Sequence, residues 1–221
     1  QLAESRLSYV DGAQQSADTE VLRPASEPFS SEGGLRLLQG NLGRSVIKVS
    51  AVAPEHRIVE APARVFEDQA DLSRAFEAGE MEQDIIAVVR FQGPAANGMP
   101  ELHKLTPYLG ILQDRGFTVA LVTDGRMSGA SGKVPAAIPL TPEALAGGAI
   151  AKIRDGDLLR LDADAGELSC LVPAAEWQAR EAVARGSLES ETGTGRELFG
   201  FMRRAVNAAE SGATVFFDSE S

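Results

Sequence analysis

Cysteine is nearly missing from this chain. Cys170 stands alone among 221 residues. A disulfide framework is therefore excluded, and so is a zinc or iron–sulfur centre built from this sequence by itself. Long apolar runs are also missing: nothing approaches the roughly 18 consecutive residues that mark a membrane-spanning helix. There is no run of basic residues, and 32 acidic against 21 basic side chains leave a net charge of −11. A nucleic acid would be repelled on average, whereas a small anion needs only a few local cations. The polar opening, Gln1 to Gln15, does not read as a signal peptide. These absences lead to the expectation of a soluble, cytoplasmic domain with no membrane and no nucleic-acid partner.

What is present is 43% hydrophobic, enough for one sizeable core with extensions. Residues 1–35 carry Pro24, Pro28, Ser30-Ser31 and Gly33-Gly34 with little periodicity, and read as an extended arm or interdomain linker. Residues 36–221 read as the folded domain. The first residue is Gln and not Met, which is what a fragment of a longer protein would show.

Val46 to Val52 reads as a strand and Ala63 to Phe66 as a shorter one. Gln69 to Ala78 has helical spacing and stops at Gly79. Asp84 to Phe91 and Phe117 to Thr123 are continuous apolar runs, the pattern of strands covered on both faces. Between them, Leu102, Leu105, Leu109 and Leu112 share one helical face within Pro100 to Asp114. Pro107 interrupts that stretch and fits the first turn of a second segment. Strand–helix–strand gives one parallel crossover. Further on, Ile150 to Arg154 and Leu158 to Leu161 read as a hairpin about Asp155-Gly156. A turn at Asp164 to Gly166 leads to a strand over Leu168 to Val172. Trp177 to Ala184 and Glu197 to Ala209 read as helices, and Thr214 to Phe217 is a short apolar run. The expected class is mixed α/β, a β/α barrel in preference to a doubly wound sheet.

Two loops leave the C-terminal ends of those buried strands, where crevices form in parallel sheets. The first, Phe91 to His103, contains Gly93 and Gly98, which let backbone approach a ligand. Glu101 is expected in the first helical turn, either as a dipole-favoured carboxylate or as a ligand for a hard cation such as Mg²⁺. His103 reads as a surface or packing residue. The second, Thr123 to Lys133, holds three glycines, two serines, an aspartate and two cations within eleven residues, the composition of an anion-binding nest. It is neither a Walker loop nor a nucleophile elbow, since neither order of residues occurs. The residues alone support an anion or metal site between two loops.

The stretch RFQGPAANGMPELHKLTPYLGILQDRGFTVALVTDGRMSGASGKVPAAI, with GGAIAKIRDGDLLRLD later, resembles the family of dihydroxy-acid, sugar-acid and 6-phosphogluconate dehydratases. The resemblance runs from about Leu22 to near the end. FQGPAANGMPELHKL, SGASGKVPAAI and the tail GTGRELFGFMRRAV favour the branch acting on 6-phosphogluconate. Pro139 departs from the family, which often has histidine there.

The resemblance implies a swivelling β/β/α barrel that closes over an N-terminal domain of the same enzyme, absent from this sequence. That domain would supply the cysteines of an iron–sulfur cluster and most ligands of a divalent metal, Mg²⁺. The implied reaction removes water from 6-phospho-D-gluconate, a step of the Entner–Doudoroff pathway, in a homodimer. It implies Ser128 as the base, acting as an alkoxide, and Glu101 as this domain's metal ligand. Arg126, Lys133 and Arg196 become candidates for the substrate phosphate or for structural pairing, and Ser131 a candidate for the substrate. Cys170 reads as a small core residue. The chain alone is expected to be inactive. Two alternatives stay open: a sibling dehydratase acting on a non-phosphorylated acid, and a stand-alone ligand-binding module on the same barrel.

Overall fold

The computed structural model describes residues 2–3, 6–7, 9, 11–12, 15–128, 132–186 and 193–216. The chain divides into two compact units, Gln1–Gly33 and Gly34–Ser221. In the first, β1 (Leu2–Ala3) pairs antiparallel with β2 (Arg6–Leu7). A turn follows in which the Asp18 carboxylate accepts from the Glu20 N–H at 2.8 Å, and the Arg23 guanidinium lies over the Phe29 ring.

Eight strands of the second unit close into a barrel: β3 (Leu35–Gly40), β4 (Gly43–Lys48), β5 (Ile58–Phe66), β6 (Ile85–Val89), β7 (Val119–Thr123), β8 (Ala136–Thr141), β9 (Leu158–Asp162) and β10 (Glu167–Cys170). Their order round the barrel is β10-β3-β4-β8-β7-β6-β5-β9. β5, β6, β7 and β8 run parallel to one another. The remaining joins are antiparallel, apart from a parallel contact of β10 with β3. The mixed barrel expected from the apolar runs is the one observed.

Side-chain alternation explains why the parallel strands are apolar on both faces. Ile86 and Val88 of β6 point into the barrel with Ile47, Val59, Val122, Leu161 and Leu168. Ile85, Ala87 and Val89 point outward against Leu72 of α1 (Gln69–Glu77) and Leu109 and Leu112 of α3 (Thr106–Asp114). Each such leucine or isoleucine contributes about 1.5–3 kcal/mol by leaving water. Asp68 caps α1 by accepting from the Ala70 N–H at 2.7 Å. Pro107 sits in the first turn of α3, where a missing N–H costs nothing.

The seam between β10 and β3 is thin, with one registered pair, Glu167 with Gln39. The Asn41 side chain extends it, donating to the Cys170 carbonyl at 2.7 Å and accepting from the Cys170 N–H at 2.8 Å. Gly40 is needed there, because a Cβ would fall 2.0 Å from the Leu168 carbonyl oxygen.

Several expected elements differ. Ile150 to Arg154 is no strand: Ala149–Lys152 forms a 3-10 turn, and the hairpin is β9–β10 about Ala163 to Gly166. Trp177 lies inside a shorter helix, α4 (Ala174–Ala179). The long C-terminal helix is two pieces, α5 (Thr194–Leu198) and α6 (Gly200–Ala205), separated at Phe199. The strand read at Ala63 to Phe66 begins earlier, at Ile58. Thr214 to Phe216 belongs to no strand, and Phe217 lies outside the described residues. β3 and β8 lie outside the stretches that the sequence predicts as strands. Pro139 falls where β8 slips register against β4, between the pairs Ile138–Val46 and Thr141–Arg44. A residue without an N–H is tolerated at such a bulge. Among the described residues, no helix is long and apolar enough to cross a membrane.

Candidate active-site loops

The two loops predicted to face one crevice leave β6 and β7, which are hydrogen-bonded neighbours. A buried carboxylate at their root ties them together. Asp124 accepts from the Gln92 N–H at 2.8 Å and the Phe91 N–H at 3.1 Å, both in the first loop. It also accepts from the Ala144 N–H at 2.8 Å, beyond β8. Burial pushes the Asp124 carboxyl up to about 6, while these three donors pull the other way. Phe91, fully buried, takes φ 62°, a strained conformation for a bulky residue that the surrounding bonds hold in place.

The first loop continues into α2 (Pro94–Asn97), whose free N-terminal amides are met by Glu143: Ala95 and Ala96 each donate to its carboxylate at 3.0 Å. Gly93 makes this approach possible, since a Cβ there would lie 2.3 Å from a Glu143 carboxylate oxygen. Asn97 donates to Gln92 Oε1 at 2.8 Å and accepts from Arg196 Nη1 at 2.5 Å, and so links the C-terminal helices to the loop. In the second loop Gly125 lies against the first, with space for no side chain beside Gln92 and Leu102.

Beyond these anchors the loops meet at Glu101. Its backbone bridges that of Arg126. One carboxylate oxygen, Oε1, accepts from the Ser128 N–H at 2.7 Å and the His103 N–H at 3.0 Å. The other, Oε2, accepts from Arg126 Nη1 at 2.9 Å. Arg126 Nε donates in addition to the Met99 carbonyl at 3.0 Å. Arg126 and Ser128 are exposed, and Glu101 is half-buried. The structure thus brings Glu101, Arg126 and Ser128 into one cluster at the barrel mouth.

Other candidates fall elsewhere. Glu101 is not in a first helical turn as expected; it precedes the 3-10 turn His103–Leu105 and caps it. Lys133 forms an ion pair with Asp114, the last residue of α3. Arg196 lies on α5 with Asn97 as partner. Ser131 lies outside the described residues. His103 is exposed, and Cys170 is buried in the barrel core, where burial raises its thiol. Sequence reasoning missed Asp124 as the anchor of both loops. The signal that could have found it is its place directly after a buried strand, a position whose side chain faces inward.

The donor set bears differently on the two expected cofactors. A lone core thiol does not fit an iron–sulfur cluster. Among the described residues, no group of three or more His, Cys, Asp or Glu could hold a metal. Glu101 fits as a single ligand: a carboxylate offers about four lone-pair sites, and three donors occupy it here.

Residues 20–213 match the family model described as dihydroxy-acid/6-phosphogluconate dehydratase, C-terminal. The chain is 63% identical over 218 residues to a phosphogluconate dehydratase of Pseudomonas aeruginosa, covering 99% of this chain and 36% of that protein. It is 54% identical over 213 residues to the phosphogluconate dehydratase of Escherichia coli K12, covering 96% of this chain and 35% of that one. A dihydroxy-acid dehydratase of Solidesulfovibrio magneticus is 44% identical over 168 residues, covering 74% and 29%. The chain spans about a third of the length of the phosphogluconate dehydratases it matches. With the match running through both loops and the barrel that carries them, the chain belongs to the dihydroxy-acid/6-phosphogluconate dehydratase family, of which it holds the C-terminal domain.

Proposed function

We propose that this chain works as the C-terminal part of a cytoplasmic hydro-lyase, one that converts 6-phospho-D-gluconate to 2-keto-3-deoxy-6-phosphogluconate in the Entner–Doudoroff pathway. The observation that carries the reading is the convergence of Ser128 and Arg126 on Glu101, in a chain similar over nearly its whole length to phosphogluconate dehydratases.

In this reading the Ser128 alkoxide takes the proton from C2, beside the substrate carboxylate. The C2–H electron pair forms the C2–C3 double bond, the C3–O bond breaks, and the departing hydroxide takes the proton now on Ser128 Oγ and leaves as water. The resulting enol becomes the 2-keto acid. Glu101 fixes the Ser128 backbone through its N–H, and Arg126 faces the charge that grows on the carboxylate. A divalent metal, if bound in the whole enzyme, would supply electrophilic help at the carboxylate, and Glu101 would hold it through its own carboxylate; an iron–sulfur cluster would need thiolates from outside these 221 residues. The segment before Leu35 connects the barrel to that remainder, in a homodimer.

The test is keto-acid formation by the full-length, cofactor-loaded enzyme offered 6-phosphogluconate, gluconate and a branched-chain dihydroxy acid. Turnover of the phosphorylated acid with the highest kcat/KM is expected. Preference for either unphosphorylated acid would refute the reading in favour of a sibling dehydratase.

A further inference from the structure

In a chain with 11 more acidic than basic residues, four arginines line one cavity of about 740 Å³: Arg185, Arg196, Arg203 and Arg204. They come from the segment after α4, from α5 and from α6. None of the described residues lining the cavity is acidic. Two of these guanidiniums donate to neutral oxygens: Arg196 to Asn97 Oδ1, and Arg203 Nη2 to the Arg196 carbonyl at 2.6 Å. Arg196 Nε is buried with no hydrogen-bond partner among the described residues.

Gathering like charges is costly unless an anion offsets them. Arg203 registers that cost: burial, and then Arg196, Arg185 and Arg204, hold its guanidinium below the usual arginine range. Planar guanidinium forks match phosphate oxygens in pairs. Arg196 and Arg203 also line a neighbouring cavity of about 980 Å³ that reaches Met99 and Arg126. The arginine cavity is therefore joined, through these two shared side chains, to a cavity that Arg126 lines.

We propose that this arginine cavity binds a phosphate monoester dianion and, resting on the function proposed above, that it holds the 6-phosphate of the substrate while the acid end lies toward Arg126. The same chemistry would accept free inorganic phosphate, and the test separates the two sources.

Full-length enzyme is compared with Arg203→Ala, Arg203→Lys and Arg204→Gln. KM and kcat for 6-phosphogluconate, competition by inorganic phosphate, and thermal unfolding are measured on each. Losing one charge-assisted bond should raise KM about 10- to 100-fold with kcat changed only a few-fold. Competition by inorganic phosphate should weaken by a similar factor, and Arg203→Lys should recover part of both. Should Arg203→Ala fail to fold, the exposed Arg204 carries the test. Unchanged KM and unchanged phosphate competition in an active Arg204→Gln enzyme would overturn the proposal. Phosphate binding that is lost in the variants while KM stays fixed would assign the cavity to free phosphate and overturn the substrate role. A fall in thermal stability with no change in KM would show a structural cluster, which also overturns it. If the parent does not turn over 6-phosphogluconate, the functional reading falls; calorimetric titration with inorganic phosphate still decides whether the cavity binds the anion.

Discussion

Ser128 reaches Glu101 across two loops, its N–H 2.7 Å from the carboxylate oxygen. The hydroxyl of Ser128 adds little to that contact, since the backbone makes it. Ser128→Ala should therefore leave the loop in place. In the full-length enzyme kcat is expected to fall on the order of 10²–10⁴-fold, with KM little changed and the melting temperature within a few degrees of the parent. Near-normal kcat in the variant would remove Ser128 from the reaction.

Glu101 offers the complementary case. Its partner Arg126 is 54% exposed and its own side chain 37%, so their ion pair is screened and worth under about 1 kcal/mol. Glu101→Gln should cost the isolated chain no more than that in urea unfolding, yet abolish most turnover in the whole enzyme. Large destabilisation with turnover intact would mark it as a structural cap only.

Asp124 makes stability depend on pH in a direction unlike that of most carboxylates. Its folded pKa, about 6, lies above the ordinary 3.8. The fold therefore holds the proton more tightly than the unfolded chain, and this group's contribution is greatest below pH 4 and falls as pH rises toward 6. The loss amounts to about 3 kcal/mol. Asn cannot titrate, so the stability gap between parent and Asp124→Asn should narrow across that window. A gap that widens would mean that the three N–H donors outweigh burial.

Gly125→Ala should push the loops apart. A Cβ there would lie 2.7 Å from the Gln92 Cβ and 2.9 Å from the Leu102 Cδ1. Overpacking of this kind costs about 1–3 kcal/mol. Chemical denaturation of the isolated chain measures it, and an unchanged midpoint would show that the loops yield freely.

Asn41→Ala removes both bonds to Cys170. Asn41 is exposed, so water replaces part of what is lost, and the expected cost is about 1–2 kcal/mol. Asn41→Asp keeps the acceptor and should fall between. Faster amide exchange at Cys170 is the direct readout; unchanged protection there would mean the side chain does not hold the seam.

Much of this architecture can be read from residue order. Ile85–Val89 and Val119–Thr123 are apolar without interruption, and strands covered on both sides leave no other pattern. That places both loops on adjacent strand ends and brings Glu101 and Ser128 together. β8 is hidden because Ala136, Ala137 and Pro139 carry little β-propensity. β3 is hidden because Leu38 is its one buried residue. Ile150 to Lys152 mimics a strand, although Gly148 packs against the Pro142 carbonyl and the chain turns. Asp124, Asn41 and the Lys133–Asp114 pair find partners far along the chain, which no local spacing encodes. Of the arginine cluster, the family resemblance singles out Arg196 alone. Arg203 and Arg204 form a pair within a stretch poor in acids, the one hint that spacing offered.

The barrel's closure has a consequence for assembly. A ring of eight strands leaves no open rim of N–H and carbonyl groups for another chain to extend. Among the described residues, contacts made by the barrel are then built from side chains and loops, and strand addition is left to the thin β10–β3 seam and to the separate β1–β2 pair. Selection against aggregation has correspondingly less to guard in the folded domain. Its burden shifts to the interval before β10 meets β3, when Val88, Val122 and their neighbours still lack a closed wall around them.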